Sequence, residues 1–349
     1  MLGQYDNIGD IILRRTLLRW LRPLGTLHVY IGHAPLGYIE GLRLRKCDVI
    51  YKSYIRWYCS GLKSAYLGLA NYAFKPGEIQ LTIAGMKEHI SILPLIMLIR
   101  MRNCAVIRIG SGSRQFSPLP RMLIWPSIAF SQLIAWRDKD TADYLKKGND
   151  IPDLAFDEGN QCSDTPCNDA RGKLVVSMRS DRKPMPNVVQ KAIRRTAEDF
   201  GLDIVVVTQV ARDSSMSRYL ALELDAGLLD WNGECHKLQE CRLREAYRQS
   251  KLVISDRLHV LIAAFTEGAI PINLICNNAN DKIARHFRTA GLEDTSIRVQ
   301  GRTSTQISED IEAVLYRKEE IIPRLMNIRR ELHKTKKQLI YLMQNGQLT

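Results

Sequence analysis

The chain has 349 residues, 45% of them hydrophobic and 25% charged, which fits a globular protein with two cores rather than one. Its net charge of +13 favours an anionic partner, either a lipid surface or a polyanionic small substrate. Nucleic acid is disfavoured, because zinc-finger spacing, RNP-like aromatic motifs and repeats are missing and Lys and Arg are spread along the chain.

From the start, Asn7 to Leu21 reads as a helix behind a glycine turn, Thr26 to Ile31 as a strand and Asp48 to Tyr51 as another. Ile79 to Ile83 and Cys104 to Ile109 are further strand candidates, separated by helical runs. Asp140 to Lys147 reads as a capped helix with Gly148 as its stop. The apolar stretches at 90–99 and 123–136 fall short of the roughly 20 residues a membrane-spanning helix needs. Asp6 and Asp10 interrupt any signal-peptide pattern. The expected location is therefore cytoplasmic, with peripheral attachment to the inner face of the cytoplasmic membrane through a basic surface left open.

Residues 157–172 are polar, acidic and aperiodic, and read as a linker. The alternation then restarts: Lys173 to Ser177 is a strand, Val188 to Phe200 a helix, Asp203 to Thr208 a strand and Cys241 to Ser250 a helix. Lys251 to Ser255, the helical run from Leu258 to Phe265 and Ala269 to Ile275 form a β-α-β unit. Two such runs imply an α/β protein with two parallel-sheet, Rossmann-like domains facing a cleft. They would span 1–156 and 173–305, followed by a basic helical segment at 306–349. In that segment Ile321, Leu325, Ile328, Leu332 and Leu339 form an apolar stripe, suited to packing or to docking.

The eight cysteines match no disulfide framework. Cys162 and Cys167 could bridge in an oxidising compartment, and Cys235, His236 and Cys241 could hold a metal; reduced cysteines without metal are the plainer reading. No metal or cofactor is expected.

The chemistry concentrates where strands turn into helices. Arg257 and His259 lie at the turn into the helix of the β-α-β unit, and Arg179 lies just past the strand that opens the second run. Helix N-termini and strand ends of this kind favour phosphate or carboxylate, and two arginines there can converge on one anion. Asn7, Gly9 and Asp10 open the first helix, where glycine admits a close ligand; a plain turn with Asp10 complementing the helix dipole explains them as well. Gly110 and Gly112 follow a strand and either expose amides to an acceptor or make a tight turn. Lys282 could close over a ligand or be an exposed first-turn lysine.

Taken in order, Asn-Ile-Gly-Asp (7–10), Gly-Ser-Gly (110–112), Trp-Arg-Asp (136–138), Pro-Asp-Leu-Ala-Phe (152–156) and Ser-Met-Arg (177–179) form a pattern. Ser-Asp-Arg-Leu-His (255–259), Gly-Ala-Ile-Pro (268–271) and Asp-Lys (281–282) complete it. The set resembles the polysaccharide pyruvyltransferase family over roughly residues 3 to 290. One departure is Gly-Ser-Gly-Ser-Arg, where the family usually has Gly-x-Gly followed by a small residue and Pro.

The resemblance implies a GT-B-like fold and transfer of pyruvate from phosphoenolpyruvate, a co-substrate, to two hydroxyls of a sugar, with a pyruvate ketal as product. It implies that Arg179, Arg257 and His259 occupy the donor and catalytic positions, and it lends support to Asp10, Gly9 and Lys282. The expected site thus has Arg179, Arg257, Leu258 and Lys282 on the donor, His259 and Asp10 in catalysis, and Asn7, Gly9, Gly110 and Gly112 on the acceptor. The sugar would belong to a surface or exopolysaccharide or to its lipid- or nucleotide-linked precursor. The alternatives are a GT-B glycosyltransferase using a nucleotide-sugar and a non-catalytic basic docking protein.

Overall fold

The computed structural model describes residues 1–113, 115–159, 171–233, 235–276 and 281–345, with the side chains of 281 and 282 outside the description. Cys162, Cys167 and most of the expected linker fall outside the described residues. The chain divides into two compact units. One comprises Met1–Gly3, Leu13–Leu154 and Arg330–Thr349; the other comprises Gln4–Ile12 and Ala155–Arg329. The sequence-based boundaries run differently, because they assign each unit one continuous stretch.

The first unit is built on parallel strands. β1 (His28–Tyr30) and β2 (Val49–Tyr51) pair as a two-stranded sheet. β3 (Tyr72–Phe74), β5 (Val106–Ser113), β6 (Leu133–Trp136) and β7 (Asn149–Asp150) follow in that spatial order, and β4 (Gly77–Ile79) pairs with the far half of β5. Its helices are α1 (Ile8–Leu21, shared with the other unit), α2 (Leu36–Gly41), α3 (Tyr54–Tyr66), α4 (Ile83–Ser91), α5 (Leu93–Met101), α6 (Pro118–Ala129) and α7 (Lys139–Leu145). The strand expected at 79–83 stops at Ile79. Thr82 instead caps α4, its hydroxyl accepting the Gly85 N–H at 3.1 Å. The apolar stretch 123–136 is two elements, the end of α6 and all of β6.

The core of this unit holds an unusual pair. Arg108 on β5 is fully buried with its guanidinium 3.6 Å above the Phe74 ring, donating to Ser127 Oγ at 3.0 Å and approaching His89 Nδ1 at 3.5 Å. Burial drags Arg108 down to about 9. Burial, with the Arg108 charge added, lowers His89 to about 2 and holds it neutral.

Among the described residues of the second unit, six parallel strands lie in the order β10-β9-β8-β11-β12-β13. They are β8 (Lys173–Ser177), β9 (Asp203–Val207), β10 (Gly227–Leu229), β11 (Ser250–Ser255), β12 (Ile270–Ile275) and β13 (Ser296–Arg298). β11 and β12 are almost wholly buried, and β8 beyond Lys173 is too, as expected of continuous apolar runs covered on both faces. The helices are α8 (Asn187–Phe200), α9 (Ser214–Glu223), α10 (His236–Arg248), α11 (Leu258–Thr266), α12 (Asp281–Ala290), α13 (Ser304–Tyr316) and α14 (Lys318–Ile321), then α15 (Arg324–Asn345), which both units share. α8 ends in a left-handed Gly201, and α13 opens with a capping box between Thr303 and Gln306. The tail expected as one helical segment is thus three helices. Ile321, Ile328, Leu332 and Leu339 of its stripe are buried, so the stripe is a packing seam.

Candidate active site

Winding direction locates the site. From β8 the chain builds outward through β9 to β10, then returns to place β11 on the other side of β8 and builds outward to β13. The β8–β11 seam is therefore the topological switch point, where open α/β sheets leave a crevice beyond their carboxyl ends. The seam ends on Ser177 paired with Ser255, and Arg179 and Arg257 each stand two residues further on.

Two short bridges tie the turns together. Ser255 Oγ donates to the Ser177 carbonyl at 2.5 Å and accepts the Arg257 N–H at 3.0 Å. Asp256 Oδ1 accepts the Arg179 N–H at 2.9 Å, and its other oxygen accepts from Arg182 Nη1 at 2.9 Å. Burial raises the Asp256 pKa despite these cations.

The two arginines are held differently. Arg257 donates Nε and Nη2 to Asp213 at 2.7 and 2.6 Å, and Asp213 is only 2% exposed. Asp213 also accepts the Ser180 N–H and Ser180 Oγ, both at 3.0 Å. A buried, fully committed carboxylate of this kind fixes the guanidinium plane. Arg179 instead donates to Asp181 at 2.7 and 2.5 Å, and the Asp181 side chain is 54% exposed. The Arg179 hydrogen bond holds Asp181 down at about 2 against the opposing effect of burial. An exposed pair is weak and exchangeable, so an incoming anion can take the place of Asp181 but not of Asp213.

The amino-terminal segment belongs to this same unit. Asn7 bridges Val210 in antiparallel fashion, the Ala211 N–H donates to the Asp6 carbonyl at 2.8 Å, and the Ile8 N–H to the Gln209 carbonyl at 3.4 Å. His236 Nε2 donates to the Tyr5 carbonyl at 2.7 Å. Arg212 closes both oxygens of Asp6 at 2.6 Å. Burial raises the Asp6 pKa, but the Arg212 bond and the Arg212 and Arg257 charges outweigh it and leave the group acidic.

This laid-in segment brings Gly9 against His259. A Cβ on Gly9 would stand 2.4 Å from His259 Cβ and 2.8 Å from Nδ1. Glycine here makes room for the histidine. Asn7 Oδ1 accepts the Gly9 N–H at 2.9 Å, the Asn7 carbonyl accepts the Asp10 N–H at 3.2 Å, and Asp10 Oδ2 accepts the Gln4 N–H at 2.8 Å. The Ile8, Gly9 and Asp10 amides at the head of α1 are thus already engaged by Gln209 and Asn7. His259 itself is half-buried on the first turn of α11, beside the buried Leu258.

Gly110 and Gly112 lie in the first unit, on β5. Gly110 has φ of +75°, and a Cβ there would meet Leu154 Cδ1 at 2.7 Å; one on Gly112 would meet Asp138 Oδ2 at 2.5 Å. The chain's own side chains fill the space beside both glycines. Nearby, Arg137 faces Asp153 at 3.7 Å with both side chains buried, joining the Trp-Arg-Asp and Pro-Asp-Leu-Ala-Phe segments. Lys282 falls in the first turn of α12, and its side chain lies outside the described residues.

The unit thus assembles Arg179, Arg257, His259, Asn7, Gly9 and Asp10 around one sheet edge. Sequence reasoning missed Asp213, Asp256, Asp181 and Arg212, which anchor that set. Asp256 stands between Ser255 and Arg257, and Asp213 in a turn just past β9; position past a strand end was the available signal. Chemically, the arrangement offers fixed and exchangeable guanidinium groups for an anion with two charged ends, beside an imidazole able to move protons.

Comparison with known proteins adds the fold and the family. A protein from Listeria monocytogenes assigned as a UDP-N-acetylglucosamine 2-epimerase is similar in structure, with TM-score 0.56, 11% identity, and 98% of this chain and 94% of that one covered. The UDP-GlcNAc 2-epimerase from Neisseria meningitidis bound to UDP-GlcNAc has TM-score 0.54 and 11% identity, covering 95% and 98%. The kitacinnamycin glycosyltransferase has TM-score 0.52 and 10% identity, covering 99% and 97%. At such identities the likeness concerns the fold alone, which is α/β with parallel sheets and GT-B-like. No curated protein matches the sequence. The profile of the polysaccharide pyruvyl transferase family matches residues 7–269, a span that includes Asn7, Gly9 and Asp10 at one end and Arg257 and His259 near the other. The chain belongs to the polysaccharide pyruvyl transferase family, a family of enzymes.

Proposed function

We propose that this chain transfers the pyruvate skeleton of phosphoenolpyruvate to two hydroxyls of one sugar and releases phosphate. The observation that carries the reading is the pair of arginines flanking the β8–β11 switch point, one fixed on buried Asp213 and one on exchangeable Asp181. Phosphoenolpyruvate carries a phosphate and a carboxylate, and planar guanidinium forks bind both. Arg257 and Arg179 clamp these groups, with Leu258 and Lys282 completing the donor side.

In the reaction the methylene carbon gains a proton and becomes a methyl group. The adjacent carbon forms bonds to both sugar oxygens while its bond to the phosphate oxygen breaks. The two hydroxyls lose two protons, one balancing the new methyl hydrogen and the other leaving with phosphate. His259 is the general acid or base of these transfers, and Asp10 orients the sugar. The acceptor is a sugar of a surface polysaccharide or its lipid- or nucleotide-linked precursor, and the enzyme works at the cytoplasmic side of the membrane.

A second reading is favoured by the fold. The similar structures include enzymes of UDP-sugars, and the same arginines would suit a diphosphate. Incubation with phosphoenolpyruvate and a panel of lipid- and nucleotide-linked sugars tests both. Phosphate release with an acceptor gaining the mass of a ketal supports pyruvyl transfer. Turnover of a nucleotide-sugar without phosphoenolpyruvate supports glycosyl transfer.

A further inference from the structure

The first unit carries a surface, on α5 and α6, that holds none of the candidate site residues named above. Every exposed residue of α6 is apolar: Pro118, Leu119, Met122, Trp125, Pro126 and Ala129. Met122 is 72% exposed and Trp125 is 42% exposed. The same is true of α5, whose exposed residues are Pro94, Met97 and Met101, the last at 76%. The two helices pack against each other. A helix on a water-facing surface normally turns charged or polar residues outward, and an exposed apolar surface on this scale marks an interaction site.

Charge identifies the partner. Between Glu88 and Asp138 the sequence contains no acidic residue, and Arg100, Arg102 and Arg121 fall on or beside the two helices. α3, which packs against α5, adds exposed Arg56 and Lys63 and has no carboxylate either. The Arg121 guanidinium lies 5.0 Å over the Tyr144 ring and Arg100 Nη1 donates to the Cys104 carbonyl, so both half-buried side chains lie along the protein beside the two helices. With nine and twelve residues, α5 and α6 are too short to span a bilayer. Apolar Met, Leu and Trp side chains bordered by arginines suit helices lying in the plane of a headgroup layer.

We propose that the outer face of α5 and α6 docks on an anionic phospholipid bilayer and holds the enzyme at the membrane surface. This goes beyond the reaction proposed above, and it stands whichever transfer the second unit performs. For the acceptor it means a saccharide presented at the membrane, on a lipid carrier.

Vesicle flotation of the full chain without any substrate tests docking separately from chemistry. Two vesicle types serve, phosphatidylcholine alone and the same lipid with about one third phosphatidylglycerol. The chain should float with the anionic vesicles at least several-fold better than with neutral ones, and high salt should weaken the binding. The pair Met122→Asp and Trp125→Asp should abolish flotation, with the melting temperature unchanged. Should that pair fail to fold, Met122→Gln alone should still lower flotation. Parent protein that ignores anionic vesicles, or variants that float as well as the parent, would overturn the proposal. So would a concentration-dependent dimer, seen by sedimentation equilibrium, that the same variants dissociate, because the face would then belong to a second copy.

Discussion

Gly9 and His259 come from opposite ends of the family match, yet they touch so closely that a single methyl group on Gly9 would stand 2.4 Å from His259 Cβ. Displacement of the imidazole is the direct consequence of Gly9→Ala. Misplacing a catalytic group by about 1 Å can cost on the order of 100-fold in rate. Steady-state assays of Gly9→Ala should therefore show a fall in kcat of that order, with the KM for phosphoenolpyruvate little changed. Full activity in that variant would remove the contact from the mechanism.

Asp213 is the buried anchor of Arg257. Removing one partner of a buried pair leaves an uncompensated charge and costs about 3–5 kcal/mol. Asp213→Ala should lose stability of that order in urea unfolding and should raise the donor KM as the guanidinium loosens. Asp213→Asn keeps the shape and should lose less of both. A loss under about 1 kcal/mol in Asp213→Ala would mean that Arg257 is held by something else.

Asp181 makes the opposite prediction. Its pair with Arg179 is exposed, so Asp181→Asn should stay within about 0.5 kcal/mol of the parent in stability. Under the proposed function it also removes a carboxylate that would compete with the donor for Arg179, so the phosphoenolpyruvate KM should fall. A rise in KM would make Asp181 a binding residue in its own right.

His89 supplies a pH dependence in the first unit. Its pKa is about 2 when folded against 6.5 as the ordinary value, with burial the main cause and the Arg108 charge the second. The unfolded chain therefore binds the extra proton first as pH falls, and folding loses stability progressively below about pH 6.5. By pH 5.5 the loss from this group should be about 1.4 kcal/mol relative to pH 7.5. Urea unfolding at the two pH values should give a smaller difference in His89→Gln than in the parent. Equal differences would mean that another group sets the acid limb.

How much of this was legible varies with the physics. β8, β11 and β12 were readable because central parallel strands are buried on both faces and read as unbroken apolar runs. Arg179 and Arg257 stood out for the same reason, as cations against such runs. The strand expected at 79–83 failed because Thr82 carries a helix cap that composition does not reveal. β3, β7, β10 and β13 are two or three residues long and leave almost no periodicity. The anchors were hidden differently. Arg212 meets Asp6 across 206 residues of chain and Arg257 meets Asp213 across 44, and no local pattern announces a partner at that distance.

The way the two units share the chain has a consequence for its synthesis. Gln4–Ile12 is made before the strands of the first unit but is built into the second, whereas the first unit takes in Arg330–Thr349, which is made after the rest of the second unit. Neither unit has all its parts until Arg329 has been made, so the strands of the first unit, made earlier, wait with an incomplete core. Nor does a single cut in the polar stretch around 157–172 separate them. Each fragment would carry a segment that belongs to the other unit and lack one of its own, so the two halves should be recovered as folded protein only when expressed together.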